Sequence, residues 1–394
     1  MQAVELFAGA GGLGMGVSQA GFKPVKIVEW DRWCCDTINE NRRNKIRPVS
    51  AWPEPIHGDV RSVDFSSFEG KVSLVSGGPP CQPFSLGGKH KAHADKRDMW
   101  GEAVRAVREI KPDAFIFENV KGLTRAAFAS YKLYIELQLQ YPEIHPAADE
   151  NWDDHLRRLE RHHTKTKGGA NYEGLRYTLL AEVLNAANYG VPQRRERIVF
   201  VGFRSDLDIE WNFPAPTHSN DALLWEQCRS NTYWDRHKAS LGERTVDARA
   251  LSKAQLLREK PLTKAWRTVR DAICDLPEPT SAHASKILNH RFQAGAKSYP
   301  GHTGSPLDEP AKTLKAGVHG VPGGENMLTR ADGSVRYFTV RESARLQTFP
   351  DTYELHGSWS EAMRQLGNAV PVDLAAVVAK DVAKHLKATT RSNA

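Results

Sequence analysis

Short apolar runs alternate with amphipathic stretches over the first 125 residues of the chain. Such alternation is typical of β-α-β units that build a parallel sheet. The apolar runs predict strands at 3–8, 25–30, 71–78 and 113–120. The amphipathic stretches predict helices at 12–21, 32–42 and 99–112. Further along, LRYTLLAEVLNAANYG (175–190) predicts another helix and RIVFVGF (197–203) another strand. We therefore predict an α/β fold with a doubly wound, mostly parallel sheet.

Two segments interrupt this rhythm. Residues 131–170 are polar, with acidic residues ahead of a mostly basic run, and they predict a solvated helical insertion. Residues 205–336 lose the alternation and gain Pro, Gly, His and scattered Trp, which indicates a second, smaller and irregular domain. The large domain then comprises 1–204, completed by 337–394.

Regular structure resumes after the irregular region. Thr339 followed by Glu342 fits a capping box, and the helix that it starts must end near Pro350. The stretch 373–388 predicts a strongly amphipathic C-terminal helix.

Composition narrows the class of protein. Among 394 residues, 40% are hydrophobic and 26% are charged, as in a globular protein that is not disordered. The formal charge of +7 is compatible with a polyanionic partner, although many proteins that bind no nucleic acid are equally basic. No apolar run approaches the ~20 residues of a membrane span, and we expect no signal peptide ahead of the first motif. The five cysteines show no Cys-x-x-Cys pair, so we expect a cytoplasmic protein with free thiols and no metal site.

A glycine motif follows the first predicted strand. Gly9-x-Gly11-x-x-Gly14 opens a predicted helix, and Glu29 ends the second strand about 20 residues later, where an acid can bind ribose hydroxyls. These features favour a nicotinamide or flavin dinucleotide. Trp30 could stack on an adenine ring and Asp59 could bind its amino group, so an adenosine ligand with an amino-acid tail fits equally well.

Cys81 lies in GGPPCQPFS (77–85), directly after a predicted strand. It could be a buried space-filler, a metal ligand or a nucleophile. The metal-ligand hypothesis is weak, because no other cysteine lies at a spacing typical of zinc sites. The prolines on both sides indicate a rigid, exposed loop at the end of a sheet strand, where α/β proteins place active-site groups. A thiol there becomes a nucleophile when nearby cations lower its pKa.

Two further motifs supply charged groups. Arg195 and Arg197 in QRRERIVFVG (193–202) are candidate cations, although such a run is a solvated charge cluster in most proteins. Glu118 in FENV (117–120) ends an apolar strand, where partial desolvation would raise its pKa toward neutrality and make it a proton donor. An ordinary capping or ion-paired acid is the alternative.

These motifs occur in an order that resembles a known family. The series ELFAGAGG, EWD, GD, GGPPCQPFS, ENV, QRRER, RESARLQTFPD and QLGNAVP is similar to the motif set of the DNA cytosine-5 methyltransferases of bacterial restriction-modification systems. The resemblance covers 1–204 and 337–394. It implies a Rossmann-like domain dependent on S-adenosylmethionine, with 205–336 as the target recognition domain.

The resemblance also implies roles for individual residues. Cys81 would attack carbon 6 of a flipped-out cytosine, Glu118 would protonate ring nitrogen 3, and carbon 5 would take the methyl group. Arg195 and Arg197 would lie near the reacting ring. Residues implied to contact the DNA substrate are Gln82, Ser85 and Asn119. Residues implied to form the S-adenosylmethionine pocket are Phe7, Ala8, Gly9, Gly11, Glu29, Trp30, Asp59, Val60, Pro80, Asn368 and Val370.

Alternatives remain at this point. A relative that methylates cytosine in transfer RNA would use the same chemistry, but the long region 205–336 favours DNA, because RNA-acting relatives have a shorter region there. A catalytically silent DNA-binding subunit would lack Cys81 or Glu118, and both are present. We expect a monomer that acts on a short site in double-stranded DNA, nucleoid-associated when bound, with a restriction endonuclease as a possible companion.

Overall fold

The computed structural model describes residues 1–80, 98–168, 171–300, 303–316 and 326–392. A seven-stranded sheet forms its centre. Its strands are β1 (Gln2–Leu6), β2 (Lys23–Glu29), β3 (Ile56–His57), β4 (Leu74–Gly77), β5 (Ala114–Val120), β6 (Tyr177–Asn185) and β7 (Glu196–Arg204). They lie in the order β3-β2-β1-β4-β5-β7-β6. The five strands from β3 to β5 run parallel, whereas β7 and β6 are antiparallel to their neighbours. The predicted doubly wound, mostly parallel α/β sheet is confirmed.

Helices cover both faces of this sheet. Those associated with it are α1 (Gly12–Gln19), α2 (Arg32–Arg43), α3 (Trp100–Ile110), α4 (Ala129–Gln140), α5 (Trp152–Lys165) and the C-terminal α12 (Val372–Ser392). Side chains alternate across each strand. In β5, Phe115 and Phe117 therefore pack beside α3 and α4, whereas Ile116 packs toward α1 and α12. No helix in the described ranges is both long enough and apolar enough to cross a membrane.

The chain order reverses between β1 and β4, which are neighbours in the sheet. Loops that follow such adjacent strands diverge and leave a crevice at the carboxyl edge of the sheet. Leu6 at the end of β1 pairs with Gly77 at the end of β4, and a Cβ atom on Gly77 would lie 2.5 Å from the Leu6 carbonyl oxygen. The glycine thus permits the close strand contact that brings the two loops together.

The helix predicted over 175–190 is wrong. Residues Tyr177–Asn185 form the edge strand β6, which pairs with β7 along its whole length. Leu, Ala and Glu favour helix, but exposure along the segment alternates with a period of two, as a one-sided strand requires. Pairing with β7 therefore overrides local propensity.

In its described part, 131–168, the insertion is helical as predicted, since it holds most of α4 and all of α5, but it is not merely solvated. Tyr134, Ile135 and Leu139 of α4 are buried in the main core, together with Leu156 and Leu159 of α5. The apolar positions of α4 belong to the same core as α3 and the sheet, so the helix pair extends the domain.

In the described parts of the irregular region, 205–300, 303–316 and 326–336, the elements are short. These are α6 (Asn220–Cys228), α7 (Thr232–Arg236), α8 (Ala248–Gln255), α9 (Val269–Ile273), the β8 (His218–Ser219) and β9 (Lys264–Ala265) pair, and a three-stranded sheet of β10 (Ser305–Pro306), β11 (Met327–Thr329) and β12 (Val335–Tyr337). The predicted boundaries at 205 and 336 stay predictions. One apolar cluster, which includes Val269, Leu314 and Leu346, joins this region to the helix that follows it.

The capping box is confirmed. The Thr339 hydroxyl accepts a hydrogen bond from the Glu342 N–H, and the Glu342 carboxylate accepts one from the Thr339 N–H. The helix that it starts is α10 (Val340–Leu346), and α11 (Trp359–Asn368) leads into the loop before α12.

Candidate active site

The glycine loop between β1 and α1 adopts a left-handed backbone at three positions. Phe7, Gly9 and Gly11 have φ angles of 53°, 54° and 85°. A Cβ atom on Gly9 would meet nothing within 4 Å, so this side of the loop is open to a ligand. Gly11, the residue before α1, has no side chain, so it caps none of the first N–H groups of the helix. The open face beside the N-terminus of α1 suits a polar ligand that approaches the backbone closely.

Side chains from distant parts of the chain pack against the glycine loop between β1 and α1. Cβ atoms on Gly11 and Gly14 would lie 3.0 and 2.9 Å from the Trp52 ring, and the Tyr353 hydroxyl donates to the Ala10 carbonyl over 2.8 Å. The buried Glu5 carboxylate accepts from Ser76, and burial raises the pKa of Glu5 to about 7. Sequence reasoning missed Trp52 and Tyr353, because no local pattern links them to the loop.

Glu29 at the end of β2 connects the glycine loop after β1 with the residues that follow β2, and both belong to the predicted cofactor pocket. One carboxylate oxygen accepts from the Gly9 N–H over 2.6 Å and the other from the Asp31 N–H over 2.7 Å. Burial raises the pKa of Glu29 above its usual range. Each carboxylate oxygen has a second lone pair, so both can still accept from ribose hydroxyls.

The other predicted pocket residues near β2 and β3 differ in their surroundings. The Trp30 side chain is 69% exposed and available for stacking, whereas Val60 is buried. Asp59 is bound to Arg61, whose Nε lies 2.9 Å from one carboxylate oxygen. A contact from Asp59 to an adenine amino group would use an acceptor position that Arg61 leaves free.

The loop after α11 reaches the glycine loop from the other end of the chain. Asn368 is exposed and Val370 is buried. A Cβ atom on Gly12 would approach the Val370 carbonyl oxygen to well under 3.0 Å, so the two loops are in direct contact. The contact brings the predicted pocket residue Val370 against Gly12, which lies 358 positions earlier in the chain next to the predicted pocket residue Gly11. The open glycine face, the acceptor pair on Glu29 and the exposed indole fit an adenosine ligand with an amino-acid tail.

Glu118 and Asn119 lie at the carboxyl end of β5, next to the loop after β4. The Asn119 amide donates to the Pro79 carbonyl over 2.9 Å. A Cβ atom on Gly78 would lie 3.4 Å from Oε2 of Glu118. Both side chains thus face residues 78–80, and Pro80 is exposed there. Cys81, Gln82 and Ser85 lie outside the described residues.

A buried ion pair sets the electrostatics around Glu118. The Arg197 Nε atom lies 2.7 Å from Oε1 of Glu118, and the carboxyl side chain is almost fully buried. The pairing arises because β7 runs antiparallel to β5, with Arg197 opposite Val120. Burial raises the pKa of Glu118 above its usual range, while the positive charges of Arg197 and Arg195 oppose that shift. A carboxyl group in this setting can exchange a proton with a bound base.

Arg195 occupies a different position from Arg197. Its side chain is completely buried, and its guanidinium donates to the carbonyl oxygens of Leu314, Gly367 and Ala369. All three acceptors are backbone groups. Arg195 therefore ties chain segments together behind the Glu118–Arg197 pair, and its predicted catalytic role stays a prediction.

A cavity of about 700 Å³ lies elsewhere, between α6, α9 and β11. Its walls carry charges of both signs, among them Arg270, Asp308 and Glu342. None of the predicted site residues lines it. The described residues contain no cluster of three His, Cys, Asp or Glu side chains able to hold a metal ion.

Comparison with known proteins agrees with this geometry. A family model for C-5 cytosine-specific DNA methylases matches residues 1–136 and 154–384. The Type II methyltransferase M.PspPI of Psychrobacter sp. (strain TA137) is 33% identical over 395 residues, covering 98% of this chain and 80% of that protein. The Type II methyltransferase M.Eco47II of Escherichia coli is also 33% identical, covering 96% of this chain and 78% of that protein.

Solved structures share the fold at lower identity. A putative DNA modification methyltransferase encoded within an E. coli prophage has a TM-score of 0.53 and 19% identity, covering 98% of this chain and 99% of that one. The Dnmt2 methyltransferase of S. pombe has a TM-score of 0.54 and 17% identity, with the same coverage. At these identities the likeness concerns the fold alone.

Proposed function

The chain belongs to the C-5 cytosine-specific DNA methylase family, and from this premise we propose that it methylates carbon 5 of one cytosine within a short specific site in double-stranded DNA. The resemblance drawn from the motifs is thereby confirmed, and the chain is a DNA cytosine-5 methyltransferase. The observation that carries the proposed chemistry is the buried Glu118–Arg197 pair, which faces residues 78–80 beside an open glycine loop.

In the proposed reaction the Cys81 thiolate forms a bond to carbon 6 of the cytosine. The electron pair of the 5,6 double bond moves into the ring, while Glu118 donates a proton to nitrogen 3. Carbon 5 would then become nucleophilic and take the methyl group, whose bond to the sulfonium sulfur would break with its electron pair left on the sulfur as a thioether. Loss of the carbon-5 proton to solvent base and departure of the thiolate restore the ring, and Glu118 recovers its proton from nitrogen 3. Arg197 holds the Glu118 carboxyl in place and is the arginine that we assign to the cytosine ring.

S-Adenosylmethionine is the proposed cofactor, and when bound it supplies an electrophilic methyl group on a sulfonium. Glu29 would hold the ribose, Trp30 would stack on the adenine, and Asn368 and Val370 would close the pocket from the C-terminal side. The open face at Gly9 leaves room for the ligand beside the backbone.

The substrate cytosine must leave the base stack, because a thiol cannot reach carbon 6 inside a duplex. Flipping a base costs a few kcal/mol, which contacts with the rest of the site must offset. We assign those contacts to the region 205–336 as the target recognition domain, acting in a monomer. We also propose cytoplasmic action on chromosomal DNA, in company with a restriction endonuclease that cuts the same site.

Bisulfite sequencing tests this function. The full chain and its Cys81→Ser variant are expressed in a bacterial host that lacks cytosine methylation. Cys274→Ser is the matched control, because Cys274 is exposed and belongs to none of the predicted site residues. We expect protection of one short motif with the wild type and with Cys274→Ser, and none with Cys81→Ser.

Two results would contradict the proposal. Protection that survives Cys81→Ser would remove the covalent route. No protected DNA cytosine, with a folded protein that binds S-adenosylmethionine, would remove DNA as the substrate. Transfer RNA would then be tested, a substrate that the comparisons favour less than DNA.

A further inference from the structure

Arg195 lies where three parts of the molecule meet. One is strand β7 with its ion pair to Glu118, and another is the segment around Leu314 in the region 205–336. The third is the segment formed by the last two residues of α11 and the three residues before α12, which we call the loop 367–371. We propose that Arg195 is a positioning residue that couples cofactor binding at the loop 367–371 to DNA binding by the region 205–336. The inference rests on the proposed function and deepens it.

The hydrogen bonds of Arg195 join two segments that are distant in sequence. Nη1 donates to the Leu314 carbonyl over 3.1 Å, and Nη2 donates to the Gly367 and Ala369 carbonyls, each over 2.8 Å. Asn368, a predicted cofactor residue, lies between the last two acceptors. A displacement of either segment therefore breaks at least one hydrogen bond of a fully buried cation.

The same two segments also touch directly. A Cβ atom on Gly367 would approach the Ala316 backbone nitrogen to well under 3.0 Å, so there is no space between them. Neighbouring amides hold the segment in register: Leu314 N–H donates to the buried Gln193 side chain over 3.0 Å, and Asn326 exchanges two hydrogen bonds with the Lys315 backbone. Motion of the segment 314–316 must therefore be transmitted to the loop 367–371.

Because Arg195 is charged and buried, it is stable only when the segment 314–316 and the loop 367–371 both hold their positions. No carboxylate forms an ion pair with it among the described residues, and its Nε has no hydrogen-bond partner there. Burying a cation is unfavourable unless its donors are satisfied, so the three carbonyl oxygens stabilise it only when both segments are correctly placed. A ligand that orders one segment thereby favours the arrangement that the other ligand needs.

Arg195 is also connected to the reacting groups. It lies two residues before Arg197, directly ahead of β7, and its positive charge acts on Glu118. Arg197 pairs with Glu118. Arg195 acts on this pair through the backbone and its charge, not by touching the substrate.

Arg341 offers a matched control. It is likewise fully buried, and its guanidinium donates to three backbone carbonyls, those of Leu288, Pro350 and Tyr353. Arg341 does not contact the segment 314–316 or the loop 367–371 through these bonds. Replacing either arginine with Met removes three buried hydrogen bonds to backbone carbonyls, and Arg341→Met also removes a 3.8 Å ion pair to Asp351. A loss of stability common to both variants can therefore be distinguished from a loss of coupling.

The experiment measures the dissociation constant of S-adenosylhomocysteine by calorimetry, with and without saturating duplex DNA that carries the site found by bisulfite sequencing. The ratio of the two constants is the coupling factor, which typically lies at about 5–150-fold. We expect a ratio in this range for the wild type and for Arg341→Met. We expect a ratio close to one for Arg195→Met. We expect an intermediate ratio for Arg195→Lys, because lysine keeps the positive charge but has fewer hydrogen-bond donors than arginine.

The inference is overturned if Arg195→Met keeps the wild-type ratio, if Arg341→Met loses it equally, or if the wild type itself shows a ratio of one. Should Arg195→Met fail to fold, Gly367→Ala decides, because its methyl group forces the segment 314–316 away. An unchanged ratio in Gly367→Ala overturns the inference. Methylation by the wild type is scored separately, so a failure of coupling is distinct from a failure of the proposed function.

Discussion

Gly12→Ala probes the contact between the glycine loop and the loop that closes the proposed pocket. Gly12 is the first residue of α1, and a Cβ atom there would approach the Val370 carbonyl oxygen to well under 3.0 Å and the Phe349 ring to 3.2 Å. This carbonyl lies in the backbone just ahead of Pro371 and α12, so it cannot rotate away as a flexible side chain would.

The size of the effect follows from this distance. Ordinary contacts begin near 3.4 Å, so one of the two loops must move by about 1 Å. Overpacking of this kind costs about 1–3 kcal/mol of unfolding free energy. If the loop at Val370 relaxes outward, a similar free energy must be recovered when the cofactor binds, which corresponds to about 5–150-fold weaker affinity.

Two assays check this prediction. Denaturant unfolding of the full chain gives the free energy of unfolding, and calorimetry gives the dissociation constant of S-adenosylmethionine. Gly101→Ala is the control, because a Cβ atom on this exposed residue of α3 would meet nothing within 4 Å. We expect Gly101→Ala to match or slightly exceed wild-type stability, since Ala favours helix over Gly.

The reasoning is refuted if Gly12→Ala unfolds at the wild-type denaturant concentration and binds the cofactor with wild-type affinity. That result would mean that the loops at Gly12 and Val370 are not in the contact described. A loss of stability in Gly101→Ala as well would show that α3 tolerates no added methyl group, and the comparison would lose its meaning.

Two further predictions concern pH. Glu118→Gln should lower kcat/KM by about 10²–10⁴-fold. Because Glu118 is a proton donor only below its raised pKa, wild-type activity should fall as pH rises through that pKa, and this fall should be absent in the variant. A pH–rate profile in which the variant loses activity at high pH as the wild type does would contradict this. His155 is fully buried, with Nε2 donating to the Ile144 carbonyl and Nδ1 accepting from the Tyr134 hydroxyl, and burial lowers its pKa. Its neutral form therefore stabilises the fold above the unfolded-state pKa of about 6.5, and this contribution is lost as pH falls through the lower folded-state pKa. His155→Gln should cost about 1–2 kcal/mol at pH 7 and less at pH 5 in denaturant unfolding, whereas an equal cost at both values would exclude the assigned protonation state.

The sequence pattern alone determined most of the sheet and the motifs at its carboxyl edge. Local apolar periodicity marks β1, β2, β4 and β5 because each is buried, and glycines mark the loop that follows β1. The helix starting after Thr339 was equally readable, since its capping box is formed by residues three positions apart. These features depend on neighbours in the chain.

Pairing between distant strands decided what local preference could not. The segment Tyr177–Asn185 consists largely of residues that favour helix, yet it forms β6, because β7 offers an unpaired edge along nine residues. The polar insertion similarly acquired a buried side, because α4 packs against the core of the sheet.

Only the tertiary structure decided the environment of the site. Motifs could nominate Glu118, Arg195 and Arg197, but not that Arg197 forms the ion pair while Arg195 binds three carbonyl oxygens. Nor could they show that Trp52 lies beneath the glycine loop. Chemical identity is carried by each residue in the sequence, whereas burial, charge pairing and hydrogen-bond partners depend on residues from about forty to more than a hundred positions away, which only the folded chain brings within contact distance.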